Sequence, residues 1–219
     1  MACLLVAGPL SAAPPDVTTT RVEADWVLAR LVRPAPMRTG FVEIRGSPLL
    51  KAPLRIEGEY QRPREGTLVR EVRVPYAETT TIVTGKSGAG EVQIARAGKS
   101  SRKFSLSRAP ELGALQASFG ALLSGDRALL EQHYRIAVDG TREHWTLTLT
   151  PKQAALAATL RSVVLRGRGA ELRCIETQPA RGEVQRTLLA GAARAADDIT
   201  DAGALLTLCR GNGNGVAAR

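Results

Sequence analysis

The stretch that decides the fold runs from Phe41 to Pro75 and reads FVEIRGSPLLKAPLRIEGEYQRPREGTLVREVRVP. Apolar and polar residues alternate along it, which is the pattern of β-strands with one buried face. Pro and Gly residues interrupt the alternation and divide it into separate strands. The stretch contains no nucleophile beside a base and no cluster of metal ligands. It therefore favours a protein that holds a partner over one that reacts with it.

Strand patterns continue on both sides of a central helical segment. About six strands are predicted between residues 41 and 106 and about five between residues 134 and 189, mostly joined by hairpins. A sheet of about 11 antiparallel strands with one apolar face is expected to curl into a barrel or half-barrel. The predicted fold class is therefore α+β: an incomplete antiparallel β-barrel of about 11 strands, wrapped around or covered by helices.

The apolar residues on one face of these strands are candidates for a concave wall around a hydrophobic cavity. They are Leu54, Ile56, Tyr60, Leu68, Val72, Ile82, Val92, Ile94, Phe104, Leu106, Leu147 and Leu149. The same residues would serve equally well as an ordinary filled core, and the pattern alone does not separate the two cases.

Helices are expected before, between and after the strands. The first covers 18–33 and ends at Pro34. A central helix over 112–123 is the candidate lid, because its apolar stripe must be buried and the concave face is the natural place. Its apolar residues are Leu112, Leu115, Phe119 and Leu122. Further helices are predicted over 126–130, 151–160 and 192–208.

Composition and charge narrow the class of partner. Aromatic residues make up only 4% of the chain, so its apolar surface is aliphatic and suits aliphatic partners. The net charge is +9, but the Arg residues are scattered singly along the strands. Because no basic strip with interleaved aromatic residues is present, the sequence does not predict a nucleic-acid-binding protein.

The chain ends predict an exported, single-domain protein. Residues 1–13 combine a short apolar run with small residues at its end, as in a secretory signal peptide, although no Lys or Arg precedes the run. One domain is expected over 14–210, followed by a Gly- and Asn-rich tail over 211–219 that is expected to be disordered. No other segment approaches the about 18 apolar residues of a membrane span.

The cysteines and histidines give little sign of chemistry. In an oxidising compartment, Cys174 and Cys209 are expected to form a disulfide, with two separate buried thiols as the alternative. His133 and His144 are the only histidines, and neither stands in a metal-binding motif or accompanies a nucleophile elbow. A structural or surface role is favoured for both, so no catalytic residue, metal site or cofactor is predicted.

Several residues of the opening stretch resemble the periplasmic lipoprotein carrier family, LolA. They are Phe41, Glu43, Pro53-Leu54, Gly58, Arg62-Pro63 and Pro75. The resemblance implies an incomplete barrel with an apolar cavity for acyl chains, an inner-membrane release complex and an outer-membrane acceptor. It also implies that Arg62 helps to hold the helical lid closed by hydrogen bonds. The chain departs from the family in its Cys pair and in its lack of Trp-rich character, and divergent relatives are associated with export of lipid-like pigments.

Three hypotheses follow. The first is a monomeric periplasmic carrier that shields the acyl chains of a lipoprotein or lipid-like cargo during transfer toward the outer membrane. The second is a binding or scaffold module of the envelope that uses a sheet edge or the basic face for a protein partner. The third is a hydrolase of acyl esters or thioesters that uses His133 or His144.

Overall fold

The computed structural model describes residues 21–45, 54–85, 90–108, 119–197 and 199–211. Three predictions lie outside these ranges: the signal peptide, the tail beyond Gly211, and the first part of the lid helix with Leu112 and Leu115. The predicted domain over 14–210 is described except for its first residues and the internal gaps.

The described strands form one antiparallel sheet of 11 strands, as the sequence predicts. The strands are β1 Met37–Arg45, β2 Leu54–Arg62, β3 Thr67–Val74, β4 Glu78–Thr84, β5 Gly90–Arg96, β6 Arg102–Ser105, β7 Tyr134–Gly140, β8 His144–Pro151, β9 Leu160–Arg168, β10 Glu171–Pro179 and β11 Gln185–Leu189. Their spatial order is β6-β5-β4-β3-β2-β1-β11-β10-β9-β8-β7. β1 and β11, the first and last of the described strands, pair with each other, and β6 and β7 form the two edges of the described sheet. The sheet is therefore an open, incomplete barrel, and the predicted fold class is confirmed.

Short helices cover both faces of this sheet. They are α1 Ala24–Leu31, α2 Arg127–His133, α3 Ala154–Ala157, α4 Ala190–Arg194 and α5 Ala202–Arg210. A short 3-10 helix covers Leu106–Arg108. Residues 119–124 are also helical and form the described end of the predicted lid helix. We call residues 119–124 the lid segment.

Three predicted helices differ from the structure. The first helix begins at Ala24 rather than at residue 18, and the helix predicted over 151–160 is reduced to the single turn of α3. The helix predicted over 192–208 is wrong as one unit, because it divides into α4 and α5. Asp201 explains the restart, since its carboxylate accepts a hydrogen bond from the backbone N–H of Ala204 at 2.7 Å and caps α5.

Strand register assigns the side chains to two faces, because residues directly opposite in a ladder point to the same side. The inner face carries Phe41, Ile56 and Leu189, and continues through Leu165 and Leu147. α1 packs on this face against β7, β8 and β10 and belongs to the largest of the described core clusters. The outer face carries Val42, Ile44 and Leu188, and α4 and α5 cover it. The cavity wall predicted from the sequence falls on the inner face.

Gly58 marks an irregularity in this wall. The register of β2 against β3 shifts between Glu57 and Gly58. A Cβ atom at Gly58 would lie 1.8 Å from the carbonyl oxygen of Glu71 and 2.9 Å from the ring of Phe41. Glycine is therefore required here by a close backbone approach, and the space above it is filled by the Phe41 ring.

Cys174 and Cys209 lie together on the outer face. Their Cα atoms are 5.1 Å apart, and both side chains are buried among the apolar residues that hold α5 against β10 and β11. This placement suits the predicted disulfide, which stays a prediction to be tested by reduction.

Candidate functional site

Two clefts flank the lid segment. The inner cleft has a volume of about 220 Å³ and lies between the lid segment, the end of α1 and strands β1, β9, β10 and β11. Its lining is mainly apolar and includes Leu31, Met37, Leu122, Leu165, Leu172 and Leu189. It therefore offers a surface for aliphatic groups on the inner face of the sheet.

The rim cleft lies on the other side of the lid segment and has a volume of about 250 Å³. Arg62, Thr67, Leu68 and Thr84 line it from the sheet, and Gly120 lines it from the lid segment. Its lining is more polar than that of the inner cleft. The rim cleft therefore lies where the apolar wall meets the charged turn between β2 and β3.

The lid segment is the partition between the two clefts, because Phe119 and Leu123 line both of them. Ligand pockets for molecules of drug size usually occupy about 300–1,000 Å³, and neither cleft reaches that range alone. The described end of the predicted lid helix therefore borders both clefts.

Arg62 is buried at the rim, with 6% of its surface exposed. Its Nη1 atom donates a hydrogen bond to the carbonyl oxygen of Arg33 at 2.7 Å, and its Nη2 atom pairs with the carboxylate of Glu65. Arg33 follows α1, and its backbone N–H donates to the carbonyl oxygen of Leu123 at 2.9 Å. Within the described residues, Arg62 is therefore linked to the lid segment through the backbone of Arg33 rather than directly.

The predicted wall residues share the inner face but differ in their surroundings. Leu68 lines the rim cleft, and Leu147 and Leu149 lie in the packed core beneath α1. The others that are fully buried are Ile56, Val72, Val92 and Leu106. The half-buried ones are Leu54, Tyr60, Ile82, Ile94 and Phe104. Part of the predicted wall is thus filled core, and part borders space near the lid.

An aromatic row connects the wall to the lid segment. The rings of Phe41 and Tyr60 have centroids 4.8 Å apart, and the rings of Tyr60 and Phe119 have centroids 6.3 Å apart. Of the predicted lid residues that are described, Phe119 makes this contact and Leu122 is buried in the cluster beneath α1. The lid segment therefore packs on both β2 and the core around α1.

Sequence analysis missed an ionic cluster in the middle of the inner face. Glu43, which is only 3% exposed, accepts a hydrogen bond from Arg45 Nε at 2.5 Å and one from Arg70 Nη2 at 3.1 Å. The guanidinium of Arg70 also lies 4.8 Å from the centroid of the Phe41 ring. The signal was present in the spacing, because Glu43 follows Phe41 by two positions and Arg70 lies between Leu68 and Val72.

Tyr60 completes this cluster. Burial raises the pKa of its hydroxyl, and the neighbouring Arg70 offsets part of that rise. The hydroxyl is therefore neutral over the physiological range and adds no negative charge to the cluster.

The histidines do not assemble a site with each other. His133 ends α2, next to the end of the β7–β8 hairpin where Tyr134 pairs with Pro151, whereas His144 begins β8 at the opposite end. The Nδ1 atom of His133 lies 3.5 Å from the amide nitrogen of Gln153. His144 is exposed and lines a small pocket of about 80 Å³ on the outer face.

The described residues contain neither a membrane-spanning helix nor a cluster of metal ligands. No helix among them has the length and apolar character needed to cross a membrane. No group of three or more His, Cys, Asp or Glu side chains in this part of the chain is arranged to hold a metal ion.

Comparison with known proteins adds the family. No curated protein matches the chain. Among solved structures, the chain is similar to LprF from Mycobacterium bovis, with 14% identity over 77% of this chain and 91% of that one and a TM-score of 0.30. A likeness of this extent assigns neither a fold nor a function. The model of the family described as outer membrane lipoprotein carrier protein LolA-like matches residues 13–213, which is most of the sequence. The chain therefore belongs to the LolA-like family of outer membrane lipoprotein carrier proteins.

Proposed function

We propose that this protein is a periplasmic carrier that shields the acyl chains of a lipoprotein or lipid-like cargo during transfer toward the outer membrane. The observation that carries the proposal is the position of the lid segment, which separates two clefts on the inner face of an open barrel. Family membership supports the same function. Movement of the lid segment would enlarge the mainly apolar inner cleft into a cavity for acyl chains.

Hydrophobic burial explains why such a cargo needs a carrier. Each CH₂ group transferred from water to an apolar site contributes about 0.8 kcal/mol, so a 16-carbon chain left in water costs about 12 kcal/mol. An aliphatic wall lowers that cost during transit. Loading and release then require only a bias of a few kcal/mol between the closed and open positions of the lid.

Arg62 is the proposed latch of the closed state. Its hydrogen bond to the carbonyl oxygen of Arg33, together with the hydrogen bond from Arg33 to Leu123, fixes the lid segment relative to the β2–β3 turn. A hydrogen bond from a charged donor contributes about 1.5–3 kcal/mol. This is the magnitude that a reversible lid needs.

The partners proposed for this carrier follow from its family. An inner-membrane release complex would supply the cargo, and an outer-membrane acceptor would receive it. The protein would act as a monomer without a cofactor and without catalysing a reaction on the cargo. The disulfide proposed between Cys174 and Cys209 accords with an oxidising compartment.

Lipid binding tests the proposal directly. The full chain, purified from the periplasmic fraction, is expected to carry co-purified lipid that native mass spectrometry detects. After delipidation it should bind a fluorescent fatty acid saturably and with a defined stoichiometry. Absence of both signals would refute the carrier and leave the scaffold hypothesis, whereas ester hydrolysis that His144→Ala abolishes would favour the enzyme.

A further inference from the structure

The ionic cluster of Glu43, Arg45 and Arg70 stands at an unusual place for fixed charges. Register places all three side chains on the inner face, since Glu43 lies opposite Ile56 and Arg70 lies opposite Tyr60. This is the face on which an acyl-chain carrier needs apolar surface. Charged groups on such a face cost free energy unless each is paired.

The cluster contains more positive than negative side chains. One carboxylate faces two guanidinium groups, and each guanidinium uses one nitrogen to reach it: Arg45 through Nε and Arg70 through Nη2. Among the described residues, no second carboxylate pairs with either arginine. Counted over the described residues, the cluster therefore has one more positive than negative charge, and N–H donors that Glu43 does not use.

Both arginine side chains are partly exposed. The side chain of Arg70 is 19% exposed and that of Arg45 is 42% exposed, whereas the Glu43 side chain between them is 3% exposed. The anion is thus buried at the base of the cluster, and the cations cover it toward the space above the sheet. An incoming anion would meet the arginines first.

The aromatic row orients the cluster relative to the lid. Arg70 lies over the ring of Phe41, Phe41 contacts Tyr60, and Tyr60 contacts Phe119 of the lid segment. The ionic cluster is therefore one end of a continuous path whose other end is the lid and its two clefts. A ligand with an anionic group and an aliphatic chain matches this sequence of surfaces.

We propose that Arg45 and Arg70 form a binding site for the anionic oxygen group of an amphiphilic cargo, whose acyl chain extends along the inner face toward the lid. The class of ligand is a long aliphatic chain with a carboxylate or a phosphate at one end. The inference rests on the proposed carrier function and adds a preference for charged over neutral cargo. Guanidinium groups suit such oxygens because their planar N–H donors bind two oxygens at once.

Paired probes of equal chain length test the preference. Anthroyloxy-labelled stearic acid and its methyl ester are titrated into the delipidated full chain at pH 8, and dodecyl phosphate is used as a competitor to compare phosphate with carboxylate. The wild-type protein should bind the acid at least about 10-fold more tightly than the ester. Arg70→Gln should remove most of that preference and leave the affinity for the ester unchanged, whereas Arg70→Lys should retain part of it.

Two further variants separate binding from a structural role. Arg73→Gln is the matched control, because Arg73 is two positions after Glu71 on the outer side of the same strand and pairs with Glu59 and Glu71. It should leave both affinities unchanged. Glu43→Gln removes the competing carboxylate and should tighten binding of the acid but not of the ester.

The outcomes distinguish this inference from the carrier proposal. If the wild-type protein binds acid and ester equally well, or if Arg70→Gln weakens both probes by the same factor, the anion site is refuted and the carrier stands. If neither probe binds, the carrier is refuted and the anion site with it. Loss of the preference in Arg70→Gln alone, with Arg73→Gln unchanged, supports the site.

Discussion

Replacement of Arg62 by leucine should accelerate the release of bound cargo. The side chain is 6% exposed and donates to the carbonyl oxygen of Arg33 at 2.7 Å, so the substitution removes a buried, charge-assisted hydrogen bond. Such a bond contributes about 1.5–3 kcal/mol. The pair with Glu65 adds little, because the Glu65 side chain is 72% exposed and exposed ion pairs contribute about 0–1 kcal/mol.

The lost free energy of the closed lid should appear as a faster rate of cargo release. If the lost bond stabilises only the closed position of the lid, about 1.5–3 kcal/mol corresponds to an increase of about 10- to 100-fold in the open population. Stopped-flow fluorescence of a labelled fatty acid that transfers from the protein to acceptor vesicles measures the release rate. Because vesicles are in excess, the observed rate reports opening rather than rebinding.

Two control variants make the measurement decisive. Arg62→Lys keeps a charged donor and should accelerate release less than Arg62→Leu. Arg64→Leu changes an exposed arginine of the same turn, whose Nε atom donates to the hydroxyl of Thr67 at 3.2 Å, and should release cargo at the wild-type rate. A release rate for Arg62→Leu within about twofold of the wild type, in a protein that remains folded, would refute the latch.

Three further predictions concern stability and the clefts. Gly58→Ala should lower the free energy of unfolding, measured by urea titration, by about 1–3 kcal/mol or more, because its Cβ meets a backbone carbonyl oxygen. Gly40→Ala is the control and should have a much smaller effect, since the nearest atom to its Cβ lies 3.9 Å away. Equal effects of the two substitutions would contradict the steric argument. Cys174 and Cys209 are 35 positions apart, so reduction of the bond proposed between them should lower the free energy of unfolding by about 4 kcal/mol. Identical denaturation curves with and without reductant would instead indicate two free thiols. A Cβ at Gly120 meets nothing within 4 Å, so Gly120→Phe should fill the rim cleft without loss of fold. The variant should bind fatty acid with lower stoichiometry or affinity. Unchanged binding would exclude the rim cleft from the cargo site.

The strands were predictable from the sequence because their signal is local. Alternation places Leu54 and Ile56 on one face, and the ladders of the structure place them there as well. The pairing of β1 with β11 has no such local signal, since its partners are far apart in the chain. The sequence therefore predicts two runs of antiparallel strands in one half-barrel but not which strands join the two runs.

The helices and the site were predicted less completely, for physical reasons. The segment after residue 190 is Ala-rich at both ends, but residues 197–201 are weak helix formers, and Asp201 caps a new helix. Arg62 was identified from its motif, whereas its partner is the backbone carbonyl of Arg33, which no side-chain pattern reveals. The pairing of Glu43 with Arg70 was not predicted, because alternation shows which residues share a face but not which of them meet across strands.

The two edge strands of the sheet, β6 and β7, are consecutive in the chain but lie at opposite ends of the strand order. The segment between them, which includes the lid segment, therefore connects the two unpaired edges of the open barrel. No ladder among the described strands joins these two edges. In the proposed carrier, an outward movement of the lid segment would break no backbone hydrogen bond between the described strands. Cargo entry would then oppose only the side-chain contacts of the lid segment and the hydrogen bonds of Arg62 and Arg33, and not the ladders of the sheet.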